Sequence, residues 1–354
     1  MFTAGLVALI LGASSLVRGA SKLALSFGIS PLVVGLTVVA FGTSAPEMAV
    51  SVGAVLSGRT DIAAGNVVGS NIFNVLFILG VSALIIPLVV NVQLIRQEVP
   101  IMIAASVLLL VLALDGRLGW TDGMMMFGLM IAYSSYLVVQ SRRETRAAQA
   151  EFDAEVRPAV AGAWDDRWSV QCLLVLAGLG LLVVGSNWLV DASVTFARAL
   201  GVSDVVIGLT VVAAGTSLPE VAASITAALK GERDIAVGNV VGSNLFNILG
   251  CLGLSALAAG NSGLDVAPSI VRFDIWVMIA VALVCLPIFV SGREIARWEG
   301  GVLVGAYVAY VTYLVLAQQQ HDVLPAFSTA MMSFVIPIAL VAIVATLLRA
   351  KTAT

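Results

Sequence analysis

The sequence predicts an all-α polytopic membrane protein: an inverted-topology repeat of two five-helix halves, giving ten core transmembrane helices, plus an extra C-terminal helix. Three observations carry this expectation. The 354 residues are 60% hydrophobic and only 11% charged, with a mean hydropathy of +1.06. Soluble domains carry about 25% charged residues, and a water-soluble core of this length cannot hide so much apolar surface. Runs of about 20 apolar residues recur, each suited to a hydrocarbon layer about 30 Å thick. Finally, one long segment returns almost unchanged 173 residues later.

Taken in chain order, eleven spans are expected over 2–27, 31–57, 61–87, 97–114, 119–140, 169–199, 203–229, 234–259, 269–290, 298–318 and 328–348. The opening MFTAGLVALILGASSLVRG has no basic leader, so it reads as a first helix rather than a signal peptide. Residues 1–140 form the first repeat and 169–320 the second. Between them, 141–168 is the only long hydrophilic stretch and reads as a flexible connector, while 321–354 hold the extra helix and tail. With the N-terminus outside, 14 of the 18 Lys and Arg fall on the inner side; Arg59, Arg117, Arg198 and Arg272 fall outside. The positive-inside rule then makes connector and C-terminus cytoplasmic, in an integral protein of the cell (plasma or inner) membrane.

The repeat is the strongest feature. GLTVVAFGTSAPE (35–47) returns as GLTVVAAGTSLPE (208–220), and DIAAGNVVGSNIFNVL (61–76) as DIAVGNVVGSNLFNIL (234–249). From Gly35 to Leu84, 34 of 50 positions are identical at one offset. Five spans separate equivalent helices, so the copies cross in opposite directions, as in secondary transporters.

Glu47 and Glu220 stand out among the 21 acidic residues as mid-span carboxylates. A charge there costs several kcal/mol, by order of magnitude, so something must offset it. Each follows Gly-Thr-Ser-x-Pro. Pro46 and Pro219 remove an N–H, and Gly42 and Gly215 loosen the backbone. Carbonyls near Ala40, Thr43, Ala213 and Thr216 are expected to lose helical partners, which lipid tolerates only where backbone lines a cavity or binds something. A cation supplies the missing partner; the competing reading is a kinked packing helix with a protonated glutamate. In GNVVGSN, small residues allow close helix approach. The i, i+4 spacing of Ser70 with Asn74, and of Ser243 with Asn247, puts hydroxyl and amide on one face. Polar glue between helices is the alternative there. The set is all hard oxygen, suiting Ca²⁺ or Na⁺ rather than Zn²⁺ or Cu⁺.

GTSxPE followed by GNxxGSN, present in both halves, closely resembles the calcium/cation antiporter superfamily, specifically its compact sodium/calcium exchangers, over about residues 1–320. The resemblance implies a secondary antiporter exchanging Ca²⁺ for Na⁺ by alternating access. It makes Glu47 and Glu220 the shared ion ligands and gives the Thr43 and Thr216 carbonyls to calcium. Ser44, Ser217, Ser70 and Ser243 would hold sodium. The Ala40 and Ala213 carbonyls lie one turn earlier, and Asn74 and Asn247 take the family's central amide or acid. Such exchangers often carry Asp where this chain has Asn247, and one fewer titratable group argues against potassium dependence; the alternative is Ca²⁺/H⁺ exchange, with protons competing at Glu47 and Glu220. Compact members usually have ten spans, so the run Phe327–Leu348 is additional.

The expected partners are Ca²⁺ and Na⁺ as substrates and the lipid bilayer, with a monomeric state and no cofactor. The net charge of −3 is uninformative about nucleic acid, but no basic patch is present, so no nucleic-acid partner is expected. Cys172, Cys251 and Cys285 lack metal-ligand spacing, and His321, the lone histidine, lies in a polar loop. No Gly-Lys-Ser/Thr follows the glycines, which argues against a phosphate loop. The inverted repeat argues against a channel. An intramembrane hydrolase gives no reason to duplicate serine and asparagine beside the acids, so the protein is read as no enzyme.

Overall fold

A computed structural model describes residues 1–152, 165, 167–199 and 213–335. Its helices are α1 (Phe2–Phe27), α2 (Pro31–Thr43), α3 (Ala45–Leu56), α4 (Ile62–Ile85), α5 (Leu94–Asp115), α6 (Trp120–Phe152), α7 (Trp168–Ala199), α8 (Leu218–Leu229), α9 (Arg233–Ser262), α10 (Ile270–Val290), α11 (Arg297–Gln318) and α12 (Leu324–Ala330). Among the described residues eight helices are long and apolar enough to cross a membrane, and the α2–α3 pair, bent by 43°, makes a ninth. The first part of the span expected over 203–229, and the eleventh span beyond Val335, lie outside the described residues.

Local chemistry sets the helix ends. Gly28 closes α1 in the left-handed conformation at φ 60°. Ser30 then caps α2, its hydroxyl accepting Val33 N–H at 3.2 Å, with Pro31 at the first helical position. Gly58 and Gly231, equivalent in the repeat, turn the chain into α4 and α9 at φ 74° and 82°.

Two short antiparallel bridges establish the inversion. β1 (Leu88–Val89) pairs with β4 (Glu294–Ile295), and β2 (Arg117–Leu118) pairs with β3 (Leu264–Asp265). Helix α5 leads from the β1 end to the β2 end. Its counterpart α10 leads from β3, which is bonded to β2, back to β4, which is bonded to β1. The equivalent helices therefore run in opposite directions between the same two ends.

Glycines let the halves approach closely. A Cβ at Gly5 would lie 2.9 Å from the Gly185 carbonyl, and one at Gly12 2.9 Å from that of Gly178. Antiparallel α1 and α7 thus touch backbone to backbone along a two-turn repeat. The symmetric pairs Gly80–Gly300 and Gly123–Gly253 join α4 to α11 and α9 to α6 in the same way. At the centre lie the two GNVVGSN helices: 89% of the apolar 18-residue stretch of α9 and 72% of that of α4 are buried, against 11% for α11.

One expectation fails. The stretch from Ser141, expected to be flexible, begins as helix: α6 continues to Phe152. The sequence SRRETRAAQAEF is rich in Ala, Arg, Glu and Gln, all strong helix formers, so the helix extends past the apolar segment without needing one.

Candidate functional site

Both GTSxPE segments break at the serine. Ser44 separates α2 from α3, and Ser217 stands between the helical turn Ala213–Gly215 and α8. Pro46 has no N–H to return to the Gly42 carbonyl, nor Pro219 to that of Gly215. The Gly215 carbonyl instead accepts from Ser186 Oγ of α7 at 2.6 Å. The break restarts each helix just before the acid. Glu47 and Glu220 therefore occupy the first turns of α3 and α8, where the helix dipole favours negative charge. Both are fully buried.

The serines do not cap their own helices but cross to the other half. Ser217 Oγ donates to Glu47 Oε1 at 2.8 Å, and Ser44 Oγ to Glu220 Oε1 at 3.1 Å. Ser70 Oγ lies 3.3 Å from Ser217 Oγ. Thr43 Oγ1 donates to Asn239 Oδ1 at 3.1 Å. Glu47, Glu220, Ser44, Ser217, Ser70, Asn74 and Asn247 are thus joined by direct bonds or by bonds through the helices α4 and α9.

The carbonyl of Ala40 departs from expectation. It accepts the Ser44 N–H at 3.0 Å, so it keeps a helical partner. The reason is that Pro46 interrupts the bond to Gly42, two residues further on. Ala213 opens the short turn before Ser217.

Several buried oxygens in this cluster have no hydrogen-bond partner: Glu47 Oε2, Glu220 Oε2, Thr216 Oγ1, Ser243 Oγ and Asn74 Oδ1. Buried polar atoms are normally satisfied. Of ten such oxygens among the described residues, these five belong to the repeated motifs, and as hard oxygens they suit a cation held by two carboxylates and neutral groups. Among the described residues no three or more His, Cys, Asp or Glu are placed together to hold a metal ion.

Sequence reasoning missed the other asparagines of GNVVGSN. Asn66 Nδ2 donates to the Glu47 carbonyl at 3.3 Å and to Ser51 Oγ at 3.0 Å. Asn239 Nδ2 makes the equivalent bonds to the Glu220 carbonyl at 3.4 Å and Ser224 Oγ at 2.9 Å. Each therefore clamps a glutamate helix to the central helix behind it. Their repetition at the same offset was the available signal. Just after the motif the central helices widen into π-helical stretches, Asn74–Leu79 and Phe246–Leu252, a device common at functional sites.

A second acid pair also went unread. Glu98 is fully buried in α5, accepting from Tyr133 Oη and, at 2.9 Å, from Gln93 Nε2. In the other half Tyr310 Oη donates to Asp274 Oδ1 at 2.8 Å. These pairs lie beyond the gap-free part of the repeat, which is why the offset of 173 does not reveal them.

The comparisons with known proteins follow the same outline. The family model described as sodium/calcium exchanger protein matches residues 1–139 and 170–316. The chain is 36% identical over 339 residues to "Sodium/calcium exchanger MaX1" of Methanosarcina acetivorans, covering 88% of this chain and 96% of that one. It is 36% identical over 313 residues to "Inner membrane protein YrbG" of Escherichia coli, covering 88% and 94%. Among solved structures it is similar to the sodium-calcium exchanger NCX_Mj soaked with zero Na⁺ and Ca²⁺, at TM-score 0.74 and 30% identity, covering 88% of this chain and 97% of that one.

Proposed function

We infer, because the chain belongs to the sodium/calcium exchanger protein family, that it is an antiporter which moves Ca²⁺ in exchange for Na⁺ by alternating access. The observation that carries this reading is the crossed pair of bonds, Ser217 to Glu47 and Ser44 to Glu220, which leaves both Oε2 atoms buried and unbonded between the halves. Two carboxylates offset the charge of one Ca²⁺, which makes the loaded site compatible with a low-dielectric interior.

In this proposal Glu47 and Glu220 ligate both ions, so the two loads exclude each other and carriage must alternate. The carbonyls of Thr43 and Thr216 complete the calcium shell. Ser44, Ser217, Ser70 and Ser243, with the carbonyl of Ala213, serve sodium, and Asn74 and Asn247 provide the central amides. The halves 1–140 and 169–320 move as the two repeats, with the N-terminus outside and 141–168 cytoplasmic. If more than two Na⁺ replace one Ca²⁺, each net charge couples to about 2.3 kcal/mol per 100 mV.

The unbonded Oε2 atoms also support a second reading, Ca²⁺/H⁺ exchange, since a proton on either would satisfy it. Proteoliposomes separate the two. At fixed pH an outward Na⁺ gradient is expected to drive Ca²⁺ uptake; uptake driven only by a pH gradient would establish proton coupling instead.

A further inference from the structure

We propose that Asn71 and Asn244 are positioning residues: each turns the amide of the opposite half's central asparagine so that oxygen, not nitrogen, faces the ion. The proposal rests on the reading of Asn74 and Asn247 as ligands. An amide has a donor end and an acceptor end of nearly equal size, and only the acceptor end tolerates a cation. The surroundings must therefore choose between the two orientations.

Here acceptor-only groups make the choice. Asn71 Nδ2 donates to the Asn244 backbone carbonyl at 3.2 Å and to Met278 Sδ at 3.5 Å. Asn244 Nδ2 donates to the Asn71 carbonyl at 3.4 Å and to Met102 Sδ at 3.4 Å. Neither a carbonyl nor a thioether can donate, so both amides are locked with Oδ1 turned away from them. Those oxygens then accept the next amides: Asn74 Nδ2 reaches Asn244 Oδ1 at 3.0 Å, and Asn247 Nδ2 reaches Asn71 Oδ1 at 3.1 Å. The nitrogens of both central asparagines are thereby committed. What remains is Asn74 Oδ1, buried and unbonded, and Asn247 Oδ1, which faces only the weak donor Cys251 Sγ at 3.6 Å. Reversing Asn71 or Asn244 would set acceptor against acceptor twice and donor against donor once.

All four asparagines are buried. Asn71 and Asn244, like Asn74 and Asn247, are related by the repeat offset. Each ligand is oriented from the other half, so the amides are set correctly only while the halves are apposed. The sulfurs come from α5 and α10, one turn beyond Glu98 and Asp274, whose tyrosine bonds tie these helices to α6 and α11.

The test uses full-length protein in proteoliposomes, with Ca²⁺ uptake kinetics as one readout. The Ca²⁺-dependent shift of the thermal unfolding midpoint is a second, independent of turnover. A carboxylate at position 74 has oxygen at both ends and needs no orientation. Asn244→Ala is expected to raise the Ca²⁺ KM about fivefold or more at nearly unchanged kcat, by lowering the competent fraction. The Asn74→Asp/Asn244→Ala double variant should then match Asn74→Asp within about twofold. An unchanged KM in Asn244→Ala, or fully additive losses in the double variant, overturns the proposal. If Asn244→Ala fails to fold, Asn71→Ala makes the same test from the other half and should raise the Ca²⁺ KM by a similar factor, and an unchanged KM in that folded variant overturns the assignment. Glu47→Gln runs alongside. If it still transports, the ligand reading falls and this proposal with it; if it is inactive while Asn244→Ala is unaffected, the proposal alone falls.

Discussion

The carboxylate of Asp165 lies buried against α1, 2.8 Å from Arg18 Nε and 3.8 Å from Lys22 Nζ. The hydrogen bond from Arg18 holds its carboxyl below the ordinary carboxylate range. A depressed folded-state value means that the contact contributes stability above the unfolded value, about 3.9, and loses it as pH falls through the folded one. Asp165→Asn is therefore expected to unfold at a lower temperature than the parent at neutral pH, with the gap closing below about pH 4; thermal unfolding in detergent across pH checks this. At this scale duplication made Glu47, Glu220 and the motif serines conspicuous in the sequence, and the crossed serine–glutamate bonds bring them together. The sequence did not reveal Asn66, Asn71, Asn239 and Asn244, whose role depends on which carbonyl or sulfur lies across a helix interface. Nor did it reveal Glu98, whose burial comes from Tyr133 on a neighbouring helix.

The elements were largely legible, since hydropathy and glycine placement follow directly from solvent and sterics. What composition cannot give is the partner of each glycine. Gly12 opposes backbone: its added Cβ would meet the Gly178 carbonyl and Leu182 N–H at 2.9 Å. Gly180, two residues along α7 from Gly178, has nothing within 4 Å. Gly12→Val should cost about 1–3 kcal/mol by overpacking and separate α1 from α7, whereas Gly180→Ala should be neutral or stabilise by about 0.5–1 kcal/mol. Unfolding midpoints of the two variants measure the contrast, and equal losses would contradict the backbone contact. The continuation of α6 to Phe152 was missed for a related reason: hydropathy marks where lipid ends, not where helix propensity ends.

For the whole molecule, inversion was legible from parity alone, and the opposed directions of α5 and α10 between the two bridges provide it independently. The family match ends at residue 316, and α12 packs at the periphery, where Phe327, Met331 and Met332 line a cavity of about 550 Å³ with α10 and α11. A chain cut after Gln320 is accordingly expected to retain most of its Ca²⁺ exchange in proteoliposomes, and loss of exchange in a folded truncation would give the C-terminal segment a part in transport. Exchange at a single site requires both shared carboxylates. The most direct measurement of this requirement is Ca²⁺ uptake into Na⁺-loaded proteoliposomes by Glu47→Gln and Glu220→Gln, each confirmed to be folded in detergent. Uptake at background is expected in both, because each change removes charge from the same ion while keeping the side chain's size. Parental uptake in either variant would contradict the requirement.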